Sequence, residues 1–319
     1  MYVLYAGGLM RRKTKSSYAL FVGDLHLKEK APASRTDEWL KAMAEKLNFI
    51  SKISREHNAT IIQVGDLFDS AKNSNLFLSY VLTYLPYMTV VPGNHDLPGN
   101  TMNNFERSPL NILLKANSIA IGTHTTCSTI GNVKIHYFPY GDVNFEEKDK
   151  YSVFPDHNNI AVLHHPIYSG QVPFYHKNYA VNVNQIRKYF PEFDWVVAGD
   201  IHSPFVNTRK KPYVLNCGSV LRLTSVQKEY KPAIWLMNLD TLEVKKIEIP
   251  IQENVMSEDS EKIENKKSES LAAFVEHFRP DKENGFLQYE EYIEKYLKEN
   301  KVQPAVKKAI KNIMAMEEK

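Results

Sequence analysis

Cysteine is scarce. The 319-residue chain carries two, Cys127 and Cys217, far apart and without framework spacing. That excludes a disulfide-stapled scaffold, and both thiols are expected to be reduced and packed, as in a cytoplasmic protein. Long apolar runs are missing too. Nothing approaches the roughly 20 apolar residues that a membrane-spanning helix needs, so no membrane partner is expected. Residues 1–10 are mildly apolar, but Arg11-Arg12-Lys13 follows them, the reverse of a secretory signal. Residues 1–17 therefore read as a loose extension before the first strand. Charge of one sign is weak as well. The net charge of +3 is too small to announce a nucleic-acid binder. It is no bar to one either, because local patches make the contacts. Arg209-Lys210-Lys211, and Arg222 with Lys228, are the candidate patches. No internal repeat is present.

What the chain does have is an ordinary globular composition, 43% hydrophobic and 24% charged. Its length suits one large domain with an appendage. Five short apolar runs, residues 18–22, 61–64, 88–91, 160–163 and 195–198, are rich in β-branched and aromatic residues and read as buried strands. Each is followed at once by polar, ligand-bearing residues. These are Gly23-Asp24-Leu25-His26, Gly65-Asp66-Leu67-Phe68-Asp69, Gly93-Asn94-His95-Asp96, His164-His165-Pro166 and Gly199-Asp200-Ile201-His202. In layered α/β folds, ligands gather beyond the carboxyl ends of the strands. Five distant motifs can therefore converge on one cleft. The motif glycines let the chain turn sharply after its strand, so that the next side chain faces that cleft.

The donor types fit hard or borderline divalent cations: manganese, magnesium, iron or zinc. No cysteine lies in any motif, which excludes a thiolate zinc site. A carboxylate shared by two ions about 3.5–4 Å apart suits in-line attack of water on phosphorus. The remaining histidines, His57, His124, His136, His157, His176 and His277, have no such context and read as surface or packed residues.

In these motifs the chain resembles the calcineurin-like metallophosphoesterases. The Gly65–Asp69 motif, the Cys217-Gly218-Ser219-Val220-Leu221-Arg222 segment and the C-terminal tail resemble more closely the SbcD-type nuclease subunit of double-strand-break repair complexes, including its bacteriophage counterparts. The resemblance covers residues 18–250. It implies a four-layer α/β/β/α sandwich with a helical C-terminal tail. It implies two divalent metals, manganese first. Asp24, His26 and His202 would hold the first, Asp66 would bridge, and Asn94 with His164 would hold the second. His165 is the alternative to His164. His95 would contact the phosphate and protonate or steer the leaving group, with Asp96 holding its imidazole by a hydrogen bond. The resembled pattern has histidine where this chain has Asp200. An Asp there ligates the second metal through oxygen or leaves it weakly held; the first is the expectation. The resemblance further implies 3′-to-5′ exonuclease activity on duplex DNA ends, endonuclease activity on single strands, an SbcC-type coiled-coil ATPase partner bound by the C-terminal helices, and a homodimer.

Two other readings stand beside this one. A small-molecule phosphodiesterase, acting for example on cyclic nucleotides, would share all five motifs and need no partner-binding tail. A structural subunit with a decayed site rests on Asp200 alone. The protein Ser/Thr phosphatase pattern fits poorly, because Leu27 follows His26, Ser70 follows Asp69, and the third motif ends in Asp96.

Along the chain, residues 36–57 place Trp39, Leu40, Met43, Leu47, Ile50 and Ile53 at helical spacing, with Thr36 as a candidate cap. Residues 76–85 and 105–116 read as further helices. Beyond Ile130 the pattern is β-rich, with strands expected over 133–138, 204–208, 213–216, 233–238 and 242–249. The expected organisation is an extension (1–17), a metallophosphoesterase domain (18–251), a charged linker (252–270) and a helical partner-binding tail (271–319). Three amphipathic segments, 271–278, 286–297 and 302–316, make up that tail.

Overall fold

The structure is a computed structural model that describes residues 17–143, 145, 151–172 and 179–257. The expectations for residues 1–16, for the stretch beyond 257, for the tail helices, and for His176 and His277 lie outside the described residues.

Two six-stranded sheets face each other. The first has strand order β14-β13-β1-β2-β3-β4, from β1 (Tyr18–Val22), β2 (Ala59–Gln63), β3 (Met88–Val90), β4 (Ile119–Ile121), β13 (Ala233–Asn238) and β14 (Val244–Glu248). The second has order β11-β12-β10-β7-β6-β5, from β5 (Cys127–Ile130), β6 (Val133–Phe138), β7 (Asn158–His164), β10 (Trp195–Gly199), β11 (Phe205–Asn207) and β12 (Tyr213–Asn216). A two-stranded parallel ribbon, β8 (Ile167–Tyr168) with β9 (Val181–Asn182), follows β7. β1 to β4 run parallel in the first sheet. β6, β7, β10 and β12 run parallel in the second.

The four layers follow from the two-residue period of the strands. In β1, Leu20 and Val22 face outward to an apolar cluster under the helices, while Ala19 and Phe21 face the second sheet. In β10, Trp195 and Val197 meet the first sheet, and Val196 and Ala198 face the opposite way. The central strands β1, β7 and β10 are thus buried on both faces, which is why they read as unbroken apolar runs, while the edge strands β5, β11 and β14 are half-buried or exposed. α1 (Trp39–Glu56), α2 (Asn75–Tyr84) and α3 (Pro109–Lys115) supply Met43, Leu47, Phe77, Val81 and Leu113 to the outer face of the first sheet. α4 (Val183–Tyr189) supplies Val183 and Ile186 to that of the second.

Three local expectations need correction. α1 starts at Trp39, not at a Thr36 cap, and its N-cap, Glu38, makes no side-chain capping bond. The chain just before it is tied elsewhere, since Thr36 N donates to Val255 O at 3.1 Å and Asp37 is bound by Arg35. Leu40 is 41% exposed, because it lies off the face that buries Trp39, Met43 and Leu47. The helix expected over 105–116 is broken. A 3-10 turn, Met102–Arg107, ends at Ser108, whose hydroxyl accepts from Asn111 N at 3.3 Å and caps α3 with Pro109 in its first turn.

Cys217 is buried, but Cys127 is exposed rather than packed. The chain beyond β14 stays on this domain as far as Ser257. Arg222 Nη2 donates to Gln252 O at 2.8 Å and Ser257 N to Ser34 O at 2.8 Å. Val255 and Met256 are buried. Among the described residues, no helix is long and apolar enough to cross a membrane.

Candidate metal centre

All five motifs sit at the carboxyl ends of parallel strands. His164 closes β7 directly beside Gly199, the last residue of β10. The loops after β1 and β2 are laced together by Leu25 N and His26 N, which both donate to Asp66 O at 3.0 and 2.9 Å. Gln63 helps from below, its amide accepting from Gly65 N at 3.1 Å and donating to Gly23 O at 3.4 Å. Three motif residues hold left-handed backbone, His26 (φ 43), Asp66 (φ 53) and Asp200 (φ 87). Such conformations cost of order 1–3 kcal/mol each and concentrate where function fixes a side chain. Gly65, at φ 107, has no alternative. A Cβ there would lie 1.9 Å from His164 Nδ1.

Two clusters of ligand atoms result, each with its atoms within 4.8 Å of one another: Asp24 with His26 and His202, and Asp66 with His164 and Asp200. In the first, His26 Nε2 faces His202 Nε2 at 3.0 Å, and His202 Nε2 lies 3.7 Å from Asp24 Oδ2. In the second, His164 Nε2 is ringed by Asn94 Oδ1 at 3.2 Å, Asp66 Oδ2 at 3.3 Å and Asp200 Oδ1 at 4.0 Å. His164 Nδ1 lies 2.8 Å from Val64 O. A carbonyl only accepts, so Nδ1 carries the proton and Nε2 is left for the cluster. That is the arrangement by which a histidine is oriented toward a metal. His165 turns away, with Nε2 3.2 Å from Tyr179 O and its ring 4.5 Å from Phe145. Asp66 Oδ2 also lies 3.8 Å from His26 Nε2, so this one oxygen adjoins both clusters.

The electrostatics fit cations. Asp24, Asp66 and Asp200 converge in a largely buried space, and isolated buried carboxylates are costly. Without cations, protons take their place. Burial pushes the Asp24 carboxyl well above its usual range, helped by Asp66 and Asp200. Burial alone would depress the His164 imidazole, but Asp66, Asp24 and Asp200 drive it well above its usual range. Burial likewise opposes ionisation of Asp66, yet His164 and His26 hold its carboxyl well below the usual range. His26 is pushed down to about 4 by burial, so it stays neutral and can offer a lone pair. Its buried Nδ1 has no hydrogen-bond partner, and the nearest carboxylate oxygen, Asp69 Oδ1, is 3.8 Å away. Three carboxylates, three imidazoles and one amide oxygen form a donor set suited to two divalent ions, which would displace the protons.

His95 stands exposed at the mouth, its ring edge-on to His26 at 5.1 Å. Its expected partner is wrong. Asp96 does not hold the imidazole; His95 Nδ1 donates to Asp69 O at 2.9 Å. Asp96 is fully buried and accepts instead from Phe68 N at 2.8 Å, Gly93 N at 2.9 Å and Leu67 N at 3.2 Å. It clamps the second motif loop to the third. Burial and then Asp66 push its carboxyl up to about 7. Asp96→Ala would strand three buried N–H groups at about 1–3 kcal/mol each. A loss of several kcal/mol in thermal or urea unfolding is expected, partly restored in Asp96→Asn.

Asp69 is the residue that sequence reasoning passed over. Its backbone carbonyl holds His95, and its carboxylate faces His26 and accepts from Lys28 Nζ at 2.9 Å. It closes the second motif, which was the signal available. Arg222 is also placed differently from its expected surface role. It is buried, with Nη1 on Lys228 O and Nη2 on Gln252 O, both at 2.8 Å. Arg209, Lys210 and Lys211 are exposed, but they precede β12 at the end of the sheet opposite the metal clusters. His124 pairs with Asp142 and His136 with Asn159, and neither His57 nor His157 joins a cluster.

Residues 18–204 match the calcineurin-like phosphoesterase family. No curated protein matches the chain. Among solved structures, one described as a novel archaeal phosphodiesterase is similar at 14% identity, over 73% of this chain and 99% of that one, with a TM-score of 0.38. A second is 10% identical over the same shares, with a TM-score of 0.43. The match spans all five strands with their motifs, through Gly199–His202, and on that ground the chain belongs to the calcineurin-like phosphoesterases, a family of phosphoester hydrolases.

Proposed function

We propose that this phosphoesterase is a two-metal-dependent DNA nuclease subunit, acting 3′ to 5′ on duplex ends and endonucleolytically on single strands, in recombination or repair with an SbcC-type ATPase. The observation that carries the phosphodiester chemistry is Asp66 Oδ2, which lies 3.8 Å from His26 Nε2 and 3.3 Å from His164 Nε2, between the two clusters. Asp24, His26 and His202 would hold one ion. Asn94, His164 and Asp200 would hold the other, with Asp66 shared. Two divalent ions there, manganese first, would supply a water nucleophile at neutral pH and take up charge on the phosphoryl oxygens. With His95 Nδ1 committed to Asp69 O, Nε2 is the atom that can present a proton to the leaving oxygen.

A polymeric substrate is supported by the shape of the site. His95 is exposed and the His202 side chain is 43% accessible, so the centre opens onto the surface rather than into a closed pocket. An open groove lined by Asn94 and His95 also has Lys72 and Arg107, with Asp69, on its walls, which puts two cations beside the site for a phosphate backbone. The nuclease branch and the ATPase partner rest on the resemblance of the Gly65–Asp69 and Cys217–Arg222 segments and of the tail.

Nucleotide release from a 3′-labelled linear duplex tests the reading. It is run with manganese and with chelator, each with and without the cognate coiled-coil ATPase. Manganese-dependent release that chelator abolishes is expected, with a higher rate when the ATPase is present. No release in either arm, beside intact hydrolysis of a small phosphodiester, would replace this reading with that of a small-molecule phosphodiesterase.

A further inference from the structure

On the outer side of the first sheet, away from both metal clusters, a cavity of about 120 Å³ lies between α1, the loop before it, the segment after β12 and the chain after β14. It is well above the roughly 15 Å³ that admits one water. Three cations line it: Arg35, Lys46 and Arg222. The guanidinium of Arg35 and the side chain of its partner Asp37 are 4% and 6% exposed. Asp37 is fully engaged by that one arginine, through Nε at 2.8 Å and Nη2 at 2.5 Å. Arg35 Nη1 donates to the backbone of Arg222 at 3.2 Å, which holds the two arginines side by side.

The other two cations are bound only by neutral groups. Arg222 donates to Lys228 O and Gln252 O, and Lys46 Nζ to Pro250 O. Backbone carbonyls satisfy hydrogen bonds without offsetting charge, and the carboxylates of Asp37, Glu45 and Glu229 act on these two cations without a hydrogen bond to either. The remaining carboxylate on the lining, Glu45, is exposed. Two arginines and a lysine therefore face one committed acid, and each cation keeps N–H donors beyond those named.

We propose that this cavity is an oxyanion-binding site, receiving a phosphoryl, sulfate or carboxylate group against Arg35, Lys46 and Arg222. Guanidinium forks match such oxygens in pairs, and the lysine adds a point charge. The crowding has a measurable mark, since burial and then the two arginines press the Lys46 amine down to about 8. An anion would relieve that crowding. The oxyanion has two sources. One is a free ligand. The other is this chain's own acidic run, Glu258, Asp259 and Glu261, which in sequence follows Ser257, itself bonded to Ser34 beside Arg35.

Calorimetric titration of the metal-loaded full chain with sulfate tests the site. The wild type is expected to bind one equivalent more than Lys46→Gln. Lys46→Arg should keep that equivalent, and hydrolysis of a small phosphodiester should be unchanged in both variants. Lys46 is half-exposed on α1, so neither change threatens folding. If the wild type takes up no such equivalent, but a Glu258→Gln/Asp259→Asn/Glu261→Gln chain gains one that Lys46→Gln removes again, the site stands and its occupant is the chain's own carboxylate. If Lys46→Gln costs no equivalent in either background, the proposal is overturned.

Discussion

Asp66→Asn is expected to lower kcat/KM for a simple phosphodiester by about 10³-fold or more, and to lower the metal bound per chain. Asn keeps an oxygen for the bond that Asp66 Oδ1 accepts from His95 N at 2.9 Å, so the loop between the second and third motifs retains its shape. What it removes is Oδ2, the one oxygen adjoining both clusters. An amide nitrogen in its place cannot ligate. Loss of a metal's Lewis-acid contribution removes several kcal/mol of transition-state stabilisation, and each 1.36 kcal/mol is a factor of ten. Metal content by elemental analysis separates this from misfolding, provided circular dichroism in chelator matches wild type. Asp200→Ala makes the natural comparison. It lies only in the second cluster and should take one equivalent of metal while sparing the first. Full turnover in Asp66→Asn would remove Asp66 from the bridge.

Much of this site was legible because ligand-bearing residues directly follow apolar runs. A strand that ends at a glycine hands its next side chain to the edge of the sheet, and parallel strands bring their edges together. Asp24, His26, Asp66, Asn94, Asp200 and His202 are readable on that basis. The choice between His164 and His165 was not. Neighbouring side chains on a strand point to opposite faces, so the choice depends on the phase of β7. Yet Ile160 and Val162 pack inward between the sheets while Ala161 and Leu163 pack outward under α4. With both faces apolar, no alternation exists to set the phase. Only the bond to Val64 O, a hundred residues away in sequence, fixes it. The misassignment of Asp96 has a related origin. The resemblance implied a side-chain bond to His95, but Asp96 is aimed at backbone N–H groups of a loop 28 and 29 residues upstream. A carboxylate that accepts from backbone leaves no trace in the identities of its donors. Arg222 misled for the same reason, since its partners are carbonyls of Lys228 and Gln252. The break at Ser108-Pro109, by contrast, was written in residue types that cap and start helices, and the apolar spacing on either side concealed it.

His95→Ala should cost about 10²- to 10⁴-fold in kcat, the usual span for a positioned proton donor, while both metal equivalents remain. That combination is what distinguishes it from every ligand change. The side chain of His95 is exposed, and its removal takes away only the bond from Nδ1 to Asp69 O at 2.9 Å and the edge contact with His26, so little stability is lost. The main-chain bond from His95 N to Asp66 survives the substitution. A donor matters in proportion to the basicity of the leaving oxygen. A phosphodiester whose leaving group departs as a stable phenolate needs little protonation, whereas a nucleoside alkoxide needs it fully. The variant should therefore approach wild-type rates on an aryl phosphodiester and fall furthest behind on DNA or a dialkyl ester. Equal losses on both substrates would show that His95 acts through charge on the phosphoryl oxygens and not as an acid. Asp69 offers the complementary probe, because its carbonyl, not its side chain, orients the imidazole. Asp69→Asn should leave that orientation intact and act instead through His26 and Lys28, which lose the carboxylate they share.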